Sequence, residues 1–122
     1  MEHMQSIEMN MKTYVFDIDG TICSLTSDST YNDVIPFEDR IRQINALADA
    51  GNEVIFYTAR GMGRTSNDLN AAKELFYDLT VNQLHRWNVR YKQLFFGKPA
   101  GDYYIDDKAT RDYIFFRDQK SP

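Results

Sequence analysis

A four-residue apolar run, Thr13-Tyr14-Val15-Phe16, stops at Asp17-Ile18-Asp19-Gly20, and the same design of apolar run followed by polar residues recurs down the chain. Short runs of β-branched and aromatic residues favour buried strands, and Asp with Gly closes such a strand in a turn. Glu53 to Tyr57 repeats the pattern and ends at Thr58-Ala59-Arg60-Gly61. Leu94-Phe95-Phe96 ends at Gly97-Lys98-Pro99, and Tyr103-Tyr104-Ile105 ends at Asp106-Asp107. Four strands are therefore predicted, and polar groups stand just past the C-terminal end of each.

Helical periodicity fills the intervals. After Pro36, the residues Ile41, Ile44, Leu47 and Ala48 fall at steps of three and four, with Gly51 placed to cap the helix C-terminus. Glu38 and Asp39 occupy its first turn, where carboxylates favour the helix dipole. A second helix is predicted over Ser66–Tyr77 and a third over Thr80–Trp87, while Ser24–Asn32 reads as a polar loop with a small hairpin near Tyr31–Val34. The tail Tyr113–Phe116 reads as an edge strand or a packed final turn. Strands alternating with helices imply an α/β fold with a mainly parallel sheet and right-handed crossovers. One domain over residues 12–122 is expected, with residues 1–11 a flexible N-terminal extension.

Charge narrows the partners. The net charge of −4 counts against nucleic-acid binding, which needs a basic surface, yet a local cation cluster still holds one phosphate. The eight Tyr and eight Phe are spread along the chain, as packing residues are, rather than gathered into a stacking platform. Cys23 is the single cysteine, so no internal disulfide forms, and no stretch has the length of a membrane span. Cytoplasm is the expected compartment.

In an open parallel sheet, ligands bind at the C-terminal ends of the strands. Side chains two apart in an extended chain point the same way, so Asp17 and Asp19 face one pocket while Ile18 anchors in the core. Such a pair divides labour: Asp17 attacks phosphorus, and Asp19 protonates the leaving oxygen and then takes a proton from water. Gly20 permits the sharp turn that exposes backbone N–H groups to phosphate. The Thr58 hydroxyl and the Ala59 N–H suit a phosphoryl oxygen, and Lys98 neutralises charge beside Asp17. Two adjacent acids repel, so Asp106-Asp107 suggests a cation held together with Asp17, and Mg²⁺ suits one or two carboxylates plus phosphate oxygens. Arg60 and Arg64 flank a glycine-containing loop, and Arg60 is read as a substrate contact. His85 and Cys23 are read as packing residues.

Taken in order, Asp17-Ile18-Asp19-Gly20-Thr21, Thr58, Lys98 and Asp106-Asp107 resemble the four motifs of the haloacid dehalogenase superfamily. The resemblance spans about Lys12 to Thr110. It implies a three-layer Rossmann-like sandwich with the first strand central, Asp17 as nucleophile and Asp19 as general acid/base. It also implies Mg²⁺ on Asp17, on the backbone carbonyl of Asp19 and on the second acid pair, with Asp107 favoured over Asp106. An Asp at position 19 is similar to the phosphatases and phosphomutases of that superfamily. No cap domain fits the intervals after the first two motifs, so the expected form is a capless one, with a pocket open or closed by another subunit of a homo-oligomer. The stretches Phe96-Gly97-Lys98-Pro99 and Tyr104-Ile105-Asp106-Asp107-Lys108-Ala109 are similar to small phosphatases of capsule and surface-polysaccharide synthesis, which implies a sugar phosphate as substrate. A nucleic-acid 3′-phosphatase and a phospho-Asp receiver-like signalling module are the competing readings. The receiver's acid pair precedes its acceptor Asp, an order not found here.

Overall fold

The computed structural model describes residues 11–119. Residues 1–10 of the expected extension lie outside that range. Strand β1 (Thr13–Phe16) leads to helix α1 (Glu38–Asp49), strand β2 (Glu53–Thr58), helix α2 (Leu69–Arg86), strand β3 (Gln93–Phe96) and helix α3 (Asp112–Gln119). The sheet is parallel in the order β1-β2-β3, with Phe16 beside Phe56 and Thr58 beside Phe96. The α/β class and the parallel order agree with the sequence, and the described residues are consistent with the capless form.

Register explains where the core sits. Paired residues of a parallel sheet share a face, so Tyr14 and Phe16, Val54, Phe56 and Thr58, and Leu94 and Phe96 line one side. That side is buried. Ile41 and Ile44 from α1, Leu84 from α2 and Phe116 from α3 pack on Phe16, Val54 and Phe56, while Ala72 and Phe76 pack on Phe96. Both crossovers run the same way along the sheet, and right-handed connections then deliver both helices to one face. The other face carries Val15, 61% exposed, and Phe95, 46% exposed. Of the three layers expected, the sheet and one helical layer are present among the described residues.

Several boundaries differ from the sequence reading, each for a physical reason. The two helices predicted over Ser66–Tyr77 and Thr80–Trp87 are one helix, α2, because Asp78 and Leu79 between them include no helix breaker. Its start is fixed by Asp68, whose carboxylate accepts the N–H of Ala71 at 3.1 Å. Tyr103–Ile105 forms no strand, so β2 rather than β1 is central. A parallel neighbour needs a crossover of about a dozen residues, and only residues 97–102 separate β3 from Tyr103. The segment instead folds on itself: the Tyr104 hydroxyl donates to the Pro99 carbonyl at 2.7 Å and accepts the Gly101 N–H at 3.1 Å. The tail forms helix α3, not an edge strand, and no hairpin forms near Tyr31.

Phe56 lies at the centre of the buried face with no exposure. Phe56→Ala should destabilise the domain by about 3–5 kcal/mol through lost burial and the cavity left behind. Urea unfolding followed by far-UV circular dichroism measures it, and a loss below about 1 kcal/mol would mean that the core is not organised around this ring.

Candidate active site at the ends of the strands

Asp17 leaves the end of β1 with its side chain 34% exposed. Lys98, on the loop after β3, brings its Nζ to 3.8 Å from Asp17 Oδ1. That loop is held in place because the Lys98 N–H donates to the Thr58 carbonyl at 3.2 Å. The Lys98 ammonium also lies 4.3 Å from the centre of the Tyr104 ring. Burial pushes the Asp17 carboxyl above its ordinary value of 3.8; Lys98 and the Ile18 N–H pull it down, the Asp19 charge adds to the rise, and Arg60 opposes it.

Asp19 follows two residues later, and Ile18 between them is fully buried, as alternation along the chain requires. Gly20, at φ +83°, turns the chain, a conformation that L side chains rarely adopt. Its N–H donates to the Cys23 carbonyl at 2.8 Å, so the expected phosphate donor at Gly20 is already engaged. The Cys23 thiol lies 3.5 Å from Asp19 Oδ1, and burial, followed by that neighbouring charge, pushes its pKa up to about 12. It is a buried thiol, in keeping with a packing role.

The largest departure from the sequence reading is Arg60. It was expected at the substrate, yet it is 1% exposed. Its Nε donates to Asp19 Oδ2 at 2.9 Å and its Nη2 to Oδ1 at 3.0 Å, a two-pronged fork on one carboxylate. Nη1 donates to Thr80 Oγ1 at 3.0 Å and Gln83 Oε1 at 2.6 Å, both on α2. The guanidinium lies 4.7 Å from the centre of the Tyr31 ring, and Gln83 Nε2 donates to the Tyr31 carbonyl at 2.6 Å. Gly61 makes this reach feasible: at φ +76° the backbone lies so close to α2 that a Cβ would stand 2.9 Å from Phe76 Cδ2 and 3.1 Å from Ala72 Cα.

Thr58 is fully buried, and its Oγ1 accepts the Arg60 N–H at 3.1 Å, so it organises the turn that launches Arg60. Ala59 closes the same turn by accepting the Met62 N–H at 2.9 Å. Arg64 is exposed and lies over Phe76 at 5.7 Å. His85, expected to pack, is exposed in the last turn of α2.

Asp106 and Asp107 do not join Asp17. Both are exposed on the loop before α3, and Asp106 accepts the Lys108 N–H at 2.8 Å, which holds its carboxyl below the usual range. Among the described residues no three acidic, imidazole or thiol side chains converge as a metal site requires. Arg60 engages the Asp19 carboxylate and not the backbone carbonyl expected to hold the ion, so with Asp106 and Asp107 elsewhere Asp17 is the one carboxylate among the expected ligands left at the site. The residues as placed do not form a complete Mg²⁺ centre. The cause is the unformed fourth strand, which was to deliver the second acid pair to the rim.

Sequence reasoning missed Tyr31, Thr80 and Gln83. For two of them a signal was present. Phe76, Thr80, Gln83 and Leu84 fall on one helical face, and polar residues in an apolar stripe mark a buried polar partner.

The chain superposes on the crystal structure of an MCSG target from Vibrio cholerae with a TM-score of 0.78 at 30% identity, covering 87% of this chain and 88% of that one. It also superposes on D,D-heptose 1,7-bisphosphate phosphatase from B. bronchiseptica, complexed with magnesium and phosphate. There the TM-score is 0.51 at 20% identity, over 81% of this chain and 54% of that one. No family model and no curated protein sequence matches the chain. No helix among the described residues is long and apolar enough to cross a membrane.

A native carboxyl that holds its proton more tightly than the unfolded chain does lowers stability as pH rises through the interval above the unfolded pKa. At pH 7 Asp17 therefore opposes folding in the metal-free protein. Asp17→Asn should raise Tm at pH 7, and the gain should close at acid pH below the ordinary value of 3.8, where the carboxyl is protonated in both states. Calorimetry in a chelating buffer measures both. An unchanged or lower Tm at pH 7 would show that Lys98 outweighs burial.

Proposed function

Since the chain belongs to the haloacid dehalogenase superfamily, we propose that it hydrolyses phosphomonoesters through a phosphoryl-aspartate formed on Asp17. One observation carries this reading: a partly buried carboxylate at the end of β1 faces a lysine ammonium at 3.8 Å, with a second, immobilised carboxylate two residues away. A free carboxylate oxygen is the nucleophile, and the ammonium offsets the charge of an incoming phosphate.

Two steps follow from these roles. The phosphomonoester binds as its monoanion and passes its proton to the Asp19 carboxylate; an Asp17 oxygen then bonds to phosphorus while the ester P–O bond breaks, and the departing alkoxide takes that proton from Asp19. Water then gives a proton to Asp19 and bonds to phosphorus as the P–O bond to Asp17 breaks. Asp19 releases that proton to the departing phosphate, so the products are an alcohol and inorganic phosphate, and both carboxylates return to their starting states. Gly20 and Ala59, which follow β1 and β2 at the same end of the sheet, are the proposed backbone contacts to the phosphate.

A phosphorylated sugar or similar small metabolite is the proposed substrate. The acidic balance of the chain and the heptose bisphosphate phosphatase among its structural neighbours both support it. Mg²⁺ dependence belongs to the proposal because that neighbour was complexed with magnesium and phosphate. When bound, the ion offsets phosphate charge. No step above runs through it.

Phosphate release from a panel of sugar phosphates, nucleotides and 3′-phosphorylated oligonucleotides tests the reading. Asp17→Asn should abolish turnover, and Asp19→Asn should lower it on the order of 10²–10⁴-fold. Removal of Mg²⁺ by EDTA should stop release, and re-addition should restore it. Full activity of Asp17→Asn would end the nucleophile assignment, and turnover confined to the oligonucleotides would replace the substrate class.

A further inference from the structure

Arg60 poses a question that its residue type alone does not answer. Burying a guanidinium is expensive, and a buried ion pair roughly breaks even against apolar residues of similar volume. Stability therefore gives a weak reason for an arginine with 0% side-chain exposure at this position. Geometry gives a stronger one. Nε and Nη2 grip the two oxygens of Asp19, while Nη1 is tied to Thr80 and Gln83 on α2.

The consequence is mechanical. A carboxylate on a short side chain rotates about two bonds, and a proton passes well only from one orientation. A fork held at both prongs fixes the plane of the Asp19 carboxylate, and the third anchor fixes the fork. Asp19 keeps 17% exposure and stands two residues from Asp17, so the gripped carboxylate still meets solvent beside the nucleophile. The loop before α1 is drawn into the same assembly. Tyr31 adopts φ +64°, a strained backbone for a bulky residue, while its ring covers the guanidinium and its carbonyl accepts from Gln83.

We propose that Arg60, anchored on α2 by Thr80 and Gln83, is a positioning residue that holds the Asp19 carboxylate by both oxygens in the orientation from which it relays a proton, received from the bound phosphomonoester, to the leaving group. This role rests on the phosphatase reading above. It assigns Arg60 to the acid, not to the substrate, and extends the site inward to a helix that touches no reactant.

The test compares kcat/KM, which reports phosphoryl transfer to Asp17, on two substrates that differ in their need for a proton. p-Nitrophenyl phosphate has a leaving group that departs as an anion, whereas glycerol phosphate needs protonation. Arg60→Met should lower kcat/KM about 100-fold on glycerol phosphate and less than about 10-fold on p-nitrophenyl phosphate, with the Ki of inorganic phosphate held within about twofold. In an Asp19→Asn background the same change should lower kcat/KM by less than about threefold, since the group it positions is gone. Arg60→Lys should not restore the loss, because an ammonium lacks the fork.

Should Arg60→Met fail to fold, Gln83→Leu loosens the anchor while leaving the fork on Asp19. It should show the same leaving-group contrast, reduced to about fivefold. Equal losses on both substrates, additivity with Asp19→Asn, or a raised Ki for phosphate would overturn the positioning role while leaving the phosphatase intact. A wild-type protein inactive on both substrates and on the wider panel would instead remove the reading beneath it, and the proposal with it.

Discussion

The buried pair of Arg60 and Asp19 joins three parts of the chain that are distant in sequence: the turn after β1, the turn after β2 and the face of α2. Each contact has a geometric precondition. Thr58 shapes the turn that releases Arg60, Gly61 lets that turn press against α2, and Gly20 brings Asp19 around to meet the fork. Breaking any one of them leaves a charge in the interior with an unmatched partner, a penalty of about 3–5 kcal/mol when one member is removed. The ion pair thus makes the folded state intolerant of error at the site, even though the net stabilisation from the pair itself is small.

Sheet handedness sets the remaining geometry. Two right-handed crossovers in one direction place α1 and α2 behind one face, where α3 also packs, and align the C-terminal ends of β1, β2 and β3 at one rim. Asp17, Thr58 and Lys98 reach that rim because each stands at, or within two residues of, the end of a paired strand. Asp106 and Asp107 do not, because the connection preceding them is too short to carry a parallel strand back to the far end of the sheet. Position along the rim, rather than residue chemistry, separates the acids that meet from those that do not.

This accounts for which features were legible in the sequence. β1, β2, β3 and α1 were readable because local pattern and tertiary need agree there: an apolar run closed by a turn, or a helical stripe closed by Gly51. Convergence of Asp17, Asp19, Thr58 and Lys98 at one end was readable from strand polarity alone. Tyr103–Ile105 misled because an apolar triplet before two acids has the composition of a strand but not the connection length. Arg60 misled for another reason. Its neighbours Gly61 and Gly63 have loop composition, and nothing local shows that Thr80 and Gln83 wait on the inner face of a helix twenty residues on. His85 shows the reverse error, an aromatic side chain among apolar neighbours that faces outward because Leu84 takes the inward position.

The two carboxylates after β1 are chemically identical and two residues apart, yet their surroundings give them different work. Asp19 accepts two short N–H bonds from a rigid guanidinium and a weak one from the Cys23 thiol, so its oxygens are fixed and their direction is set by the protein. Asp17 has a backbone N–H from Ile18 and an ammonium at 3.8 Å, a distance at which the lysine offsets charge without holding an oxygen in place. A nucleophile needs an oxygen lone pair that no donor occupies, whereas a group that relays a proton needs a constant direction as well as one lone pair the fork leaves open. The hydrogen bonds are distributed accordingly, Asp17 left reactive and Asp19 held still. Sequence alone supplies two aspartates in either order of duty; the reach of one arginine from the neighbouring strand distinguishes them.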